Sequence, residues 1–247
     1  MRPTSADAGM RAFGHVADLD LDLRSSDRPQ LVTALLAQCG GRDDASFWWS
    51  RPVGVRIAAL LRLVAMTDAC KDVALSARCA VPACGELFDF VLPLAALAAH
   101  AGDEAPIAVV LDPGRAATLR RPTGEDLRRW READPPSREA AVRAMLDALA
   151  LEGGLSVEDE PAVAAALAAA DPLVDFTVAC RCPACGAQTE VAIDLEDLAL
   201  RRLGARQRSL VAVVHRLASQ YGWTEAQVLA VPASRRARYL ELIEEER

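Results

Sequence analysis

Five of the seven cysteines fall in two short stretches 101 residues apart, Cys79-Ala-Val-Pro-Ala-Cys84-Gly85 and Cys180-Arg-Cys182-Pro-Ala-Cys185-Gly186. The chemistry this spacing offers is metal ligation by thiolate. Cys-x2-Cys is the ordinary knuckle spacing and Cys-x4-Cys lies within the tolerated range, while Pro and Gly shape turns that aim backbone amides at sulfur. Two such half-sites supply four ligands to one tetrahedral zinc, and the candidate set is Cys79, Cys84, Cys182 and Cys185. Cys180 is the alternative fourth ligand, because at constant offset it, and not Cys182, is the counterpart of Cys79. Four thiolates leave no open coordination position, so the expected role of the zinc is structural.

Three other readings of the same cysteines stand beside this one. They can be small buried apolar residues around turns, or a redox pair, or the remnant of a zinc module that has lost its metal. No thioredoxin-like βαβ pattern surrounds Cys182 and Cys185, which weighs against redox chemistry. Cys39 and Cys70 read as core residues. An odd cysteine number with short spacings fits metal binding better than a disulfide framework.

The elements that must position the thiols also repeat. Phe90 and Val191 stand six residues after the last cysteine of their units, Leu92 and Ile193 eight, Leu94 and Leu195 ten, Leu97 and Leu198 thirteen. Residues 73–79 alternate loosely and predict the strand entering the first turn. Residues 86–94 predict the returning strand, with Leu87 and Asp89 on one face and Phe88, Phe90 and Leu92 on the other, and a short helix follows over 94–100. The expected fold class is α+β: a small cysteine-rich, zinc-ribbon-like β element of two half-sites, with helical N-terminal, insert and C-terminal segments.

Around this element the chain divides into four parts. Residues 1–29 lack sustained periodicity and read as a mobile arm, whose 13–23 stretch can add a strand to a partner. Residues 30–72 form a helical segment: 31–40 stops at Gly40-Gly41, an aromatic loop holds Phe47, Trp48 and Trp49, and Ile57, Leu60, Leu61 and Val64 trace an amphipathic helix. Residues 73–200 carry the cysteine units and an insert at about 105–172. In the insert, two short strands (107–111 and 116–120) flank the turn Asp112-Pro113-Gly114, Thr123 caps a helix, Ser137 caps a second running to about Leu151, and an alanine-rich helix covers 159–172. Residues 201–247 are helical, with Gly222 as a stop and Thr224 and Gln227 as a capping box.

Charge and composition narrow the function. The formal net charge is −7, with 27 Arg and one Lys, Lys71, and alanine inflates the apolar fraction of 52%. Net acidity argues against bulk phosphate-backbone binding. No run approaches the ~20 apolar residues that span a bilayer. The opening residues lack the apolar stretch of a secretory signal, so the expected compartment is the cytoplasm. Nucleotide-binding, zinc-protease and nucleophile-elbow motifs are missing, and an enzyme is not expected. His15, His100 and His215 stand without companions. From Arg201 to Tyr239 there are eight arginines and one acid, Glu225. Two helices around Gly222 resemble a helix-turn-helix, so a nucleic-acid-binding zinc protein using these arginines is the alternative function. A protein–protein surface is the simpler account, with Arg216, Tyr221, Trp223, Arg235, Arg236 and Tyr239 as candidate contact residues, since Arg, Trp and Tyr favour interfaces.

Taken together and in order, four features resemble one family. They are the segment 48–56 with its helix, the two Cys units, residues 120–130 (Arg-Arg-Pro-Thr-Gly-Glu-Asp-Leu-Arg-Arg-Trp), and residues 209–243 with Tyr-Gly-Trp and Arg-Arg-x-x-Tyr-Leu. They resemble T4-like phage baseplate proteins, or baseplate hub assembly chaperones, of contractile tails and phage-derived injection systems. The resemblance covers roughly residues 31–243. It implies a role in building the baseplate through contacts with other baseplate or tail proteins, without catalysis, as a chaperone that leaves or a component that stays. It maps the Cys pairs onto Cys79/Cys84 and Cys182/Cys185, with a wider first spacing than the family pattern.

Overall fold

The helix that organises the molecule is apolar almost all round, so it must be enclosed by others. It is residues Val53–Thr67, and ten of its residues, including Ile57, Leu60, Leu61, Leu63 and Val64, are buried. The computed structural model describes residues 9–41, 44–100, 105–111 and 114–245. In chain order the helices are α1 (Arg28–Cys39), α2 (Ala45–Trp49), α3 (Val53–Thr67), α4 (Leu94–Ala98), α5 (Gly124–Glu132), α6 (Arg138–Leu149), α7 (Glu160–Ala170), α8 (Leu195–Tyr221), α9 (Glu225–Ala230) and α10 (Ala233–Glu245). The strands are β1 (Asp72–Arg78), β2 (Leu87–Pro93), β3 (Ile107–Val110), β4 (Ala116–Leu119), β5 (Ala150–Glu152), β6 (Thr177–Arg181) and β7 (Gln188–Ala192). The fold is α+β, with helices around small antiparallel sheets.

The main core joins α1, α3 and α4 to the first turns of α8. Leu35, Leu36, Trp48, Leu60, Leu61, Leu63, Leu94 and Leu195 all lie within it. β1–β2 and β6–β7 are separate two-stranded hairpins, whereas β3, β4 and β5 make a three-stranded sheet in that order. That sheet belongs to the insert and has its own core of Ile107, Val109, Leu119, Leu146 and Val163, on which the alanine-rich α7 packs. At the far end, Leu217, Val228 and Ile243 hold α8, α9 and α10 together.

Caps fix the helix starts. Asp27, Thr123, Ser137, Asp194 and Thr224 each accept a hydrogen bond from an amide in the first turn of the helix that follows. Gly222, at φ 68°, ends α8 in the left-handed conformation that a glycine adopts without strain.

Three expectations are corrected. The aromatic segment is not a loop: Asp44 caps it and Ala45–Trp49 is helical, with Trp48 buried. The helix beginning after Ser137 stops at Leu149, because the next three residues pair with β4 as β5. Residues 13–23 do not offer a strand, and the described part of the arm is docked. Phe13 is buried, and Val16–Asp20 is a 3-10 helix. The amide of Phe13 donates to Thr67 Oγ1, and Gln207 Nε2 donates to the carbonyls of Leu19 and Leu21 at 3.1 and 2.7 Å. Residues 1–8, Asp112 and Pro113 lie outside the described residues, and with them the first part of the expected arm and the centre of the expected hairpin turn.

Asp18 holds this segment down. It is fully buried, and its carboxylate accepts two hydrogen bonds from Arg11 at 2.7 Å, one from Gln38 at 2.7 Å, and the amides of Gly14 and His15 at 2.8 and 2.9 Å. Burial alone would raise its pKa, but the donors from Arg11, Gly14, Gln38 and His15 outweigh that and hold it well below the usual carboxylate range. A depressed carboxylate stabilises the fold above the unfolded pKa of about 3.9 and loses that contribution as pH falls toward the folded value. Amide hydrogen exchange over residues 11–20 should therefore stay flat from pH 8 to 5, after correction for intrinsic rates, and lose protection below about pH 4. Asp18→Ala, which strands five N–H donors on four residues, should cost on the order of 2 kcal/mol at neutral pH.

Candidate metal centre

Each cysteine pair sits at the tip of a hairpin. In the first, β1 and β2 pair from Asp72–Pro93 to Arg78–Leu87, and in the second, β6 and β7 pair from Thr177–Ala192 to Arg181–Gln188. The first ligand of each tip follows the last paired residue. The amide of Cys79 donates to the Glu86 carbonyl at 2.8 Å, and the amide of Cys182 donates to the Ala187 carbonyl at 2.9 Å. The second ligand precedes a glycine of positive φ, Gly85 at 57° and Gly186 at 75°, where the chain turns back. Tight turns follow from these: the Gly85 amide donates to Val81, and the Gly186 amide donates to Cys182.

Cys79 thus occupies in the first hairpin the place that Cys182 occupies in the second. The first turn is two residues longer, so a constant offset of 101 misaligns the two units on the strand side of the turn. Cys180 lies within β6, opposite Thr189, and packs with Ala77 and Phe88.

The two tips meet. The sulfurs of Cys79, Cys84, Cys182 and Cys185 all lie within 4.8 Å of one another, Cys79 to Cys185 at 3.6 Å and Cys84 to Cys182 at 3.8 Å. A regular tetrahedron of thiolates about 2.3 Å from a central ion has sulfur–sulfur edges of about 3.8 Å. These separations are far beyond a disulfide bond of about 2.0 Å, and all four are free thiols. Four cysteines positioned in this way can hold a metal ion. The amide of Ala80 also reaches Thr189 Oγ1, a buried hydroxyl on the other hairpin, at 3.3 Å.

The electrostatics of the thiols favour a cation. Cys182 is lowered to about 7 because the Cys185 amide, and then that of Ala184, stabilise its thiolate. At Cys84 the Glu86 amide also favours the thiolate, but burial and the neighbouring thiols of Cys185, Cys182 and Cys79 win and push it up to about 12. One sulfur ionises readily and its neighbours then resist, since like charges at this spacing repel. A divalent ion held between them would reverse that logic by favouring the thiolate form of all four. Cys39, by contrast, is pushed up to about 12 by burial and the adjacent Asp18, and is an inert core thiol.

Cys180→Ser should leave metal content unchanged, measured by elemental analysis, while Cys182→Ser should lower it. The opposite pattern would place the fourth ligand on β6.

The six candidate contact residues are positioned differently from the thiols. Tyr221 stacks on Trp223 at 4.9 Å between ring centroids, and Tyr239 meets both edge-on at 5.6 and 5.2 Å. The three rings bridge the end of α8 to α10, next to the core of this helical unit. Arg216 pairs with Glu244 at 3.0 Å. Arg236 donates to the Leu229 carbonyl at 3.1 Å, and Arg235 is exposed.

Residues that, apart from Thr123, the sequence does not single out join the segments 48–56 and 120–130. The amide of Val53 donates to the Pro122 carbonyl, the amide of Gly124 donates to the Arg51 carbonyl, and Pro52 and Thr123 form a bridge. Beneath them lies Arg56, 1% exposed, donating at 2.8 Å to the Pro29 carbonyl and to Thr33 Oγ1. Its guanidinium lies 5.3 Å from the centre of the Trp49 ring, and a methyl group on Gly124 would overlap it. Asp126 closes the motif by accepting from Arg120 at 2.5 and 2.8 Å and from Thr123 at 2.8 Å. The signal in the sequence is the Pro-Thr-Gly-x-Asp order itself, since only a glycine admits the arginine at that point.

Comparison with protein-family models, with curated proteins and with solved structures finds no match to this chain. Among the described residues, no helix is long and apolar enough to cross a membrane.

Proposed function

We propose that the protein is a non-enzymatic assembly factor or structural component of a contractile, phage-tail-like baseplate, acting through contacts with other tail proteins and stapled by a structural zinc. The observation that carries the zinc is the convergence of four thiols, from hairpins about 100 residues apart, at tetrahedral spacing. Four-thiolate sites suit zinc, which has no redox chemistry and accepts closed tetrahedral coordination. A closed site gives substrate and water no place on the metal, so the ion serves architecture: it locks the hairpin leading into α4 to the hairpin leading into α8. The baseplate assignment rests on the sequence resemblance of residues 48–56, 120–130 and 209–243, which extends to the helices beyond the metal site. Assembly takes place in the cytoplasm, where thiols stay reduced.

Nucleic-acid binding through the C-terminal arginines is the weaker reading. Arg216 and Arg236 are engaged within the helical unit, and the chain carries a net charge of −7. Deleting the gene from its own host should leave tails without completed baseplates under electron microscopy. Normal particle yield and shape after deletion would overturn the assignment. Mass spectrometry of purified particles would then separate a retained component from a departing chaperone.

A further inference from the structure

A cleft of about 410 Å³ opens where the docked N-terminal segment meets the C-terminal helices. One wall is apolar, made by Phe13, Val16, Leu210 and Leu229. The other carries two guanidiniums, Arg206 from α8 and Arg236 from α10. Among the described residues neither makes an ion pair with a carboxylate. Arg236 Nη1 has the carbonyls of Val228 and Leu229, at 3.4 and 3.1 Å, and Arg206 Nε is buried with no hydrogen-bond partner. Asp18, the buried acid of the docked N-terminal segment, is saturated by Arg11, Gln38 and two amides.

Two like charges sharing a partly dry cleft destabilise each other. Burial first, and the charge of Arg206 second, lower the pKa of Arg236. An anion placed between them relieves their mutual repulsion and can take the outer guanidinium N–H groups. The apolar wall adds a second requirement, because a small hydrated anion leaves it unsatisfied. The cleft is within the size range of small-ligand pockets, and the acidic chain as a whole repels a phosphate polymer.

We infer that this cleft is a docking site for a short acidic peptide of a partner protein, a glutamate or aspartate flanked by apolar residues. The carboxylate bridges Arg206 and Arg236, and the flanking side chains lie on Val16 and Leu229, with the buried Phe13 and Leu210 closing the apolar floor. This rests on the assembly reading and names the chemistry of the partner's contact. The site is built from both ends of the described chain, so it exists only while the Asp18 anchor keeps the N-terminal segment in place.

The test is fluorescence anisotropy of the full chain with a labelled Gly-Ser-Leu-Glu-Leu-Ser-Gly peptide and its Gln counterpart. Orthophosphate and a single-stranded DNA oligonucleotide serve as competitors. The Glu peptide should bind at least tenfold more tightly than the Gln peptide, and Arg206→Ala with Arg236→Ala should abolish the difference. Val16 is 43% exposed, so Val16→Glu should fold normally, retain metal, and block the peptide by supplying the chain's own carboxylate. Equal binding of the two peptides, no binding of either, or displacement by phosphate or DNA at concentrations equal to the peptide would overturn the inference. Its failure is separable from that of the assembly reading: absence of peptide binding alongside baseplate-less tails on gene deletion would remove only the cleft.

Discussion

Cys185→Ser is expected to release the metal and to lower the thermal midpoint by on the order of 10 °C. A ligand at 1,000 times its Kd adds about 4 kcal/mol to apparent stability, and for a chain of this size each kcal/mol shifts the midpoint by about 2–4 °C. The loss should fall on the hairpins first. Among the described residues the cluster the two tips share is small, Ala77, Cys79, Phe88, Cys180 and Cys182 with four partly buried neighbours, whereas the base of the first hairpin is fixed in the main core by Val73 and Leu92. Chelation of the native protein should reproduce the shift, and chelation of the variant should add nothing. An unchanged midpoint in both cases would mean that the hairpins are held by packing alone. The helical core around α3 should survive, so far-ultraviolet dichroism should keep most of its helical signal.

Arg56→Ala should be the most damaging substitution away from the cysteines, costing about 3–5 kcal/mol. The side chain fills the space under Gly124 and Trp49, and its removal opens that space and takes one hydrogen bond each from the Pro29 carbonyl and the Thr33 hydroxyl, which keep the bond they make to each other. It also withdraws the chief positive charge acting on Glu196. Burial already raises the pKa of Glu196, with Arg56 opposing. Without the arginine the raised folded value climbs further, so the variant should be most stable at low pH and lose stability as pH rises above the unfolded pKa of about 4.3. Burial lowers Arg56 itself to about 10, yet it remains charged at neutral pH, and among the described residues its Nη1 lacks a hydrogen-bond partner. Arg56→Met, which keeps volume without charge, should therefore recover part of the loss. Gly124→Ala should be costly in the native chain and cheaper beside Arg56→Ala, a coupling that urea unfolding of the four proteins measures. Additive costs would show that the two residues do not act together.

The four-cysteine cluster is legible because its chemistry is local. Each half-site needs only a turn of fixed residue types, and the apolar positions after Cys84 and Cys185 repeat at one offset. What that offset could not reveal was the extra two residues in the first turn, which make Cys182 the structural partner of Cys79 and leave Cys180 in a strand. Helix ends marked by Thr123, Ser137, Thr224 and Gly222 were readable for the same local reason. The misreadings were non-local. Asp18 looks like any solvated acid until Arg11 and Gln38 surround it, and Ala150–Glu152 continue a helical pattern until β4 claims them as an edge strand. Tyr221, Trp223 and Tyr239 are candidate contact residues by residue type, and only the fold shows that their rings meet as a bridge between helices. Arg56 was visible only as one of many arginines, since burial of a charge depends on residues 29, 33 and 124 meeting over it.

X-ray absorption spectroscopy of freshly purified native protein tests the central claim most directly. One zinc per chain, surrounded by four sulfurs at about 2.3 Å with no nitrogen or oxygen ligand, is the expected result. A protein without zinc, or a zinc shell containing water or imidazole, would contradict it.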